Sequence, residues 1–226
     1  MSAPNKQENY PRPFLKWAGG KSKLIQQYIP YFPKNFANYH EPFLGGGAIF
    51  FYLYNSQINT QTFLTDINPQ LINAYTCIKN NVESVIDILA KHQTRHNKDY
   101  YYELRNRNFG TCIERTARMI YLNKTCFNGL FRENSKGEFN VPIGKYKSPK
   151  ICDPDLLRSV SVALKSAQIE VRPFEAVLDY ANEQDFVYFD PPYYPLSSTS
   201  NFTAYSRYFF NKDDQIRLRD TFAELA

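Results

Sequence analysis

The 226-residue sequence has a single tryptophan, two methionines and four cysteines, and no apolar run near the roughly 18 residues of a membrane-spanning helix. A membrane span is therefore not expected. The polar opening MSAPNKQENYPRP gives a secretory machinery nothing apolar to read, so the chain reads as cytoplasmic. Cys77, Cys112, Cys126 and Cys152 form no CxxC pair; no metal site is expected, and a reducing compartment leaves them free thiols. Internal repeats and low-complexity tracts are also lacking, which excludes solenoids and linkers. What is present, 43% apolar and 22% charged residues, suits a globular chain of one large domain or two small ones.

The net charge of +5 is unevenly spread. Residues 91–150 hold 13 Lys and Arg against 5 Asp and Glu, whereas the rest of the chain holds 14 against 17. A solvated helical face accounts for such an excess. So does a surface for a polyanion, and the Tyr, Phe, Asn and Arg interleaved here favour nucleic acid, because cations contact phosphates and flat rings stack on bases.

Four β-branched or aromatic segments read as buried strands: Asn38 to Leu44, Thr62 to Thr65, Ile169 to Val171 and Phe186 to Phe189. Helical patterns lie between them, at Lys21 to Tyr31, Ala48 to Tyr54, Leu71 to Leu89 and Pro154 to Ser166. This alternation predicts an α/β fold with a largely parallel sheet covered by helices. Residues 91–150 break the rhythm with a helix at Glu114 to Lys124 and a β-hairpin turning at Ser135-Lys136-Gly137, and so read as an insert.

Three motifs carry chemistry. EPFLGGGAIFF at 41–51 runs a strand through three glycines into a helix start, a form suited to close backbone approach to a ligand. About 20 residues on, Asp66 ends the next strand, where an acidic side chain holds ribose hydroxyls in dinucleotide-type folds; a helix N-cap before Pro69 is the plainer reading. WAGGKSK at 17–23 imitates the end of a phosphate loop, but Leu15 stands where its first glycine belongs. Trp17 there reads as a ligand wall or a core anchor, and Lys21 as a counter-charge to a carboxylate. In DFVYFDPPYY at 185–194, a buried strand delivers Asp190 to the carboxyl end of the sheet, where ligands bind in open α/β folds, and Pro191 and Pro192 leave their carbonyls free to accept. A carboxylate and a carbonyl accepting both N–H bonds of an exocyclic amine favour a pyramidal nitrogen whose lone pair can attack, and Tyr193 offers a face to the base.

FLKWAGGK, EPFLGGG, DIN, NGLFRENSKGEFNVPIG and DPPY occur here in the order that resembles the Dam-like DNA adenine-N6 methyltransferases, and the likeness covers nearly the whole chain after the N-terminal tail. The resemblance implies a Rossmann-like methyltransferase sheet with an inserted helical and β-hairpin subdomain. It implies methyl transfer from S-adenosylmethionine to adenine N6 in double-stranded DNA, within GATC, by base flipping, as in restriction-modification. It assigns Trp17, Lys21, Glu41, Pro42, Phe43, Asp66, Phe174 and Asp190 to the cofactor, and Asp190, Pro191, Pro192 and Tyr193 to catalysis. Phe174 follows Arg172-Pro173, where the family has acidic or small residues. DNA contacts fall to Phe127, filling the space of a flipped base, to Asn128, to Arg132 on a guanine, and to Leu130 and Pro142 on a thymine methyl. A phosphate contact is the plainer role for Arg132.

The implied organisation is a flexible tail at 1–13, a catalytic domain from 14–90 and 151–226, and a target-recognition insert at 91–150. The family sheet has seven strands, while this sequence stops at TFAELA in the helix after DPPY, so the catalytic domain is expected to be C-terminally incomplete. A cytosine-N4 methyltransferase, an RNA methyltransferase and a non-catalytic DNA-binding fragment are the alternatives; SPPY in place of DPPY marks the first, and a single-strand preference the second.

Overall fold

A computed structural model describes residues 10–58, 60–107, 110–134, 136–193 and 210–226. The chain is α/β, with four parallel strands, β1 (Asn38–Glu41), β2 (Gln61–Asp66), β3 (Gln168–Val171) and β4 (Phe186–Val187), in the order β3-β2-β1-β4. The helices are α1 (Ile25–Tyr28), α2 (Ala48–Asn55), α3 (Pro69–Arg95), α4 (Lys98–Asn106), α5 (Cys112–Thr125), α6 (Pro154–Leu164) and α7 (Lys212–Leu225).

β1 ends at Glu41, short of the expected Leu44, because Pro42 has no N–H to give a ladder. Its pairing with β2 runs from Asn38↔Gln61 to Glu41↔Leu64, and β2 pairs with β3 from Phe63↔Gln168 to Asp66↔Val171. Two of the strands are not buried as expected. β3 is an outer strand, mostly exposed, and β4 is half-buried and only two residues long.

So short a β4 is held by polar contacts below it. The Asp185 carboxylate accepts from the Asn38 backbone N–H at 3.1 Å and its side-chain amide at 2.8 Å, and lies 2.9 Å from His40 Nε2. The His40 and Asp185 side chains are both fully buried, and the His40 ring stacks on Phe63 at 4.7 Å. Burial holds the His40 pKa down despite Asp185. The ladder extends past β4 through Tyr188 N–H to the His40 carbonyl, 2.9 Å, which aims Tyr188-Phe189-Asp190 along the sheet.

The expected helix Lys21 to Tyr31 is broken into a 3-10 turn (Lys21–Lys23), α1 and a second 3-10 turn (Ile29–Tyr31). Pro30 explains the second break, since it lacks a donor and its ring crowds the preceding turn. α3 outruns its expected span at both ends and kinks at Asn81 (φ −139°). Of the apolar series visible in the sequence, Leu71, Tyr75, Ile78, Val82, Val85 and Leu89, all but Val82 are fully buried in one core with Phe14, Tyr39 and Leu64, and Val82 is half-buried against it. α3 also runs through the expected insert boundary at residue 91.

Within residues 91–150, α5 begins with a Thr111/Glu114 capping box, and each partner satisfies a free N–H of the other. The hairpin is present: Glu133 and Phe139 bridge antiparallel, Asn140 N–H reaches the Arg132 carbonyl at 3.1 Å, and Gly137 turns with φ +76°. Ser135 lies outside the described residues. So do residues 1–9 of the expected tail, whereas Pro11 is buried and accepts from Asn55 Nδ2 at 2.9 Å.

Candidate active site

The carboxyl ends of β1, β2 and β4 open on one cavity of about 890 Å3, where ligands bind in open α/β sheets. It is lined by every residue the sequence assigned to cofactor or catalysis: Trp17, Lys21, Glu41, Pro42, Phe43, Asp66, Phe174, Asp190, Pro191, Pro192 and Tyr193.

The glycine loop forms its floor. Gly45 has φ +47°, and a Cβ there would stand 2.9 Å from the Trp17 ring; Gly47, the left-handed N-cap of α2 (φ +66°), would press a Cβ on the Tyr75 hydroxyl. The Tyr75 hydroxyl donates to the Gly45 carbonyl at 3.2 Å and pins the loop to α3. Trp17 is half-buried over this loop, stacked on Phe131 at 5.4 Å and 26°. It is thus a cavity wall and no deep core anchor.

Asp66 accepts from Gly45 N–H through Oδ2 (3.1 Å) and from Asn68 N–H through Oδ1 (2.9 Å). Burial pushes its pKa up to about 6 against these bonds. It is not the helix cap: Asn68 Oδ1 accepts from Gln70 and Leu71 at 2.9 and 3.2 Å and caps α3. Glu41 is deeper. Its Oε2 accepts from the Tyr39 hydroxyl (2.9 Å) and Phe50 N–H (3.2 Å), and burial lifts its pKa to about 8. Glu41 therefore braces the start of α2 as well as lining the cavity.

Lys21 is buried, donates to the Gly19 carbonyl at 3.0 Å and forms an ion pair with Asp190 Oδ1. Its Nζ lies 5.1 Å from the Tyr193 ring centre. Burial pulls the lysine pKa down, but Asp190 and Tyr193 leave it raised overall; for Asp190 burial outweighs Lys21, and its pKa is also raised. Tyr193 is two-thirds exposed. At the far end Phe43 stacks on Phe174 at 5.2 Å and 23°, with Phe210 edge-on at 5.7 Å. Arg217 lies 5.5 Å over Phe174 and pairs with Glu175 and Asp214.

Phe131, Phe210, Glu175, Asp214 and Arg217 line the cavity and were not read from the sequence. The Asn211/Asp214 capping box that starts α7 was a visible signal for two of its neighbours; nothing in the order of residues announces Phe131.

The predicted DNA contacts gather elsewhere. Phe127 and Asn128 are exposed on the 3-10 turn Phe127–Gly129, and Asn128 has φ +53°. Pro142 is exposed and its carbonyl accepts from Phe127 N–H at 2.9 Å; Leu130 is half-buried against the core. Arg132 Nε donates to Asn140 Oδ1 at 2.7 Å across the hairpin. None of these five lines the cavity, but Phe131, between Leu130 and Arg132, does. Part of the basic excess is structural: Arg118 is largely buried and donates to the carbonyls of Leu104 (2.8 Å) and Arg105 (2.5 Å). Burial, then Lys16, brings the Lys124 pKa down to about 8.

Among the described residues no cluster of metal-ligating side chains occurs, and no helix is long and apolar enough to cross a membrane. The sequence model of the D12 class N6 adenine-specific DNA methyltransferases matches residues 17–226. The chain is 45% identical to the type II methyltransferase M.MjaIII of Methanocaldococcus jannaschii, across 95% of this chain and 80% of that protein. It is 43% identical to the type II methyltransferase M1.LlaDCHI of Lactococcus lactis, across 95% and 77%. With a DNA adenine methylase of Haemophilus influenzae it shares 39% identity, across 97% and 78%.

Proposed function

The chain belongs to the D12 class N6 adenine-specific DNA methyltransferase family, and on that premise we propose that it methylates adenine N6 within GATC in double-stranded DNA, drawing the methyl group from S-adenosylmethionine and flipping the adenine out of the duplex. One observation supports this most: the acidic ends of β1 and β2 and the Asp190-Pro191-Pro192-Tyr193 corner share a single cavity. A methyl donor and a base can therefore meet inside it.

The cavity fits such a donor in its chemistry. Asp66 presents a carboxylate to ribose hydroxyls, Gly45 lets the backbone approach where a Cβ has no room, and Phe43 and Phe174 offer flat faces to an adenine. Trp17, Lys21, Glu41 and Pro42 complete the holding set. When bound, the cofactor supplies an electrophilic methyl on a sulfonium. The protein's work is on the amine. Lys21 engages Asp190 Oδ1 and leaves Oδ2, which accepts one N–H of the flipped base while the Pro191 carbonyl accepts the other. Loss of planarity at nitrogen is thereby favoured in the transition state. Tyr193 stacks on the ring, and Pro192 fixes the corner.

Flipping costs a few kcal/mol of stacking and pairing. Exposed Phe127 occupies the vacated space, beside Asn128. Because Nε of Arg132 is committed to Asn140, both terminal nitrogens remain for O6 and N7 of one guanine, while Leu130 and Pro142 meet a thymine methyl. In this reading residues 14–90 and 151–226 hold the cofactor and residues 91–150 read the duplex, with the cellular DNA, in the cytoplasm. The test is transfer of labelled methyl to duplexes with and without GATC, followed by identification of the modified base. Duplex retention without transfer would move the protein to the binding-module reading, and N4-methylcytosine would make it a cytosine enzyme.

A specificity prediction follows from the same hairpin. Arg132→Ala is expected to lower discrimination at one guanine by about 1 to 3 kcal/mol while cofactor affinity stays constant. Competition among duplexes with single base changes measures this. Equal weakening on all sequences would mark Arg132 as a phosphate contact.

A further inference from the structure

We propose that Asn123 is a positioning residue that couples the reading of duplex by the turn 127–129 to the cofactor pocket, with the Gln70–Glu133 hydrogen bond as a second joint; this rests on the methyltransferase reading above.

Asn123 is 1% exposed near the end of α5, and each polar group of its amide has a partner on a distant segment. Its Oδ1 accepts from Lys16 N–H at 2.7 Å, and its Nδ2 donates to the carbonyls of Lys16 at 2.7 Å and Gly129 at 3.0 Å. One side chain thus ties the residue before Trp17 to the last residue of the turn that carries Phe127 and Asn128. The fit is close: Gly129 has φ +65°, and a Cβ there would lie 2.3 Å from Lys16 Cδ. On the other side of Lys16, Trp17 covers Gly45 and stacks on Phe131. A shift of the turn upon engaging a base pair is therefore passed to the wall over the glycine loop.

The second joint leaves from Asp66. Its Oδ1 holds Asn68 N–H, Asn68 caps α3, and Gln70 in that first turn donates to Glu133, which is buried next to Arg132. Both predicted readers, the turn and the hairpin, are thus fastened to residues that meet at Gly45 in the wall of one cavity. Neither Asn123 nor Gln70 lines it.

Such coupling is reciprocal and typically amounts to 5- to 150-fold in affinity. The experiment is calorimetry with S-adenosylhomocysteine, without DNA, with a saturating GATC duplex, and with a duplex changed at one guanine. Unmutated protein is expected to bind the probe at least about fivefold more tightly on GATC than on the changed duplex. Asn123→Ala and Gln70→Ala should each bring that ratio towards one while DNA-free affinity stays within about twofold, a pattern that general loosening does not produce. Should Asn123→Ala fail to fold, Gln70→Ala, at a half-exposed site, decides alone. A preserved ratio in a folded variant overturns the proposal. So does an unmutated protein that binds probe and duplex with no ratio; absence of any probe binding overturns the underlying reading along with it.

Discussion

Asp190→Asn is expected to lower methyl transfer by about 100- to 1,000-fold while duplex binding persists. The substitution keeps the size of the side chain and exchanges one acceptor oxygen for a donor. If that donor faces the adenine amine, the transition state loses a contact of the oxyanion-hole type, about 2.7 to 4 kcal/mol or roughly 100- to 1,000-fold in kcat. A second consequence must be separated from the first. Asp190 is the ion-pair partner of buried Lys21, and removing one member of a buried pair leaves an uncompensated charge, on the order of 3 to 5 kcal/mol. Asp190→Asn alone should therefore lower Tm as well as rate. Combined with Lys21→Gln it should regain much of the Tm and none of the transfer. Gel retention of duplex is the control, since none of the five residues proposed to contact DNA lines the cavity. A folded Asp190→Asn protein transferring at the unmutated rate would remove Asp190 from the chemistry.

The sequence motifs were legible because each is a local solution to a local problem. A glycine loop after a strand, an acidic residue ending the next strand and a DPPY corner all fall at strand ends, and the parallel order β3-β2-β1-β4 brings those ends together. The long apolar series of α3 was legible for the same reason, since one face of a helix repeats on a fixed period. What escaped includes apolar runs interrupted by a proline, and polar groups whose partners lie far away in the chain. Pro30 divides a segment whose spacing reads as one helix, and Pro42 stops a strand whose apolar run continues. The sequence offered Asp66 as a helix cap; the structure gives the cap to Asn68 and leaves Asp66 for the loop and the cavity. Buried strands were expected where the sheet has outer members, because a short apolar run does not say which strands lie at an edge. Asn123 looks like any polar residue near a helix end, and only its three bonds to Lys16 and Gly129 reveal it as a joint.

Asp66→Ala is expected to weaken cofactor binding by about 1.5 to 3 kcal/mol, roughly 10- to 150-fold, through loss of charge-assisted hydrogen bonds to ribose hydroxyls. Part of any loss could instead reflect a relaxed loop, because Asp66 also holds Gly45 N–H and Asn68 N–H. The Tyr75 hydroxyl on the Gly45 carbonyl and the Asn68 cap remain in the variant and limit that relaxation. The pH profile tests whether the Asp66 carboxylate is the group on which cofactor affinity depends. With its pKa raised to about 6 by burial, Asp66 is ionised above that pH and neutral below it. A neutral carboxyl accepts less strongly, so cofactor affinity of the unmutated protein should fall as pH drops from 7 to 5. Glu41, raised to about 8, is already largely protonated throughout this window and adds no step there. Asp66→Ala should remove the acid limb and leave a low, nearly flat profile. A variant that keeps the limb would assign it to another titrating group, and calorimetry on folded protein at both ends of the window distinguishes these outcomes. Unchanged affinity at pH 7 would reduce Asp66 to a support for Gly45 and Asn68.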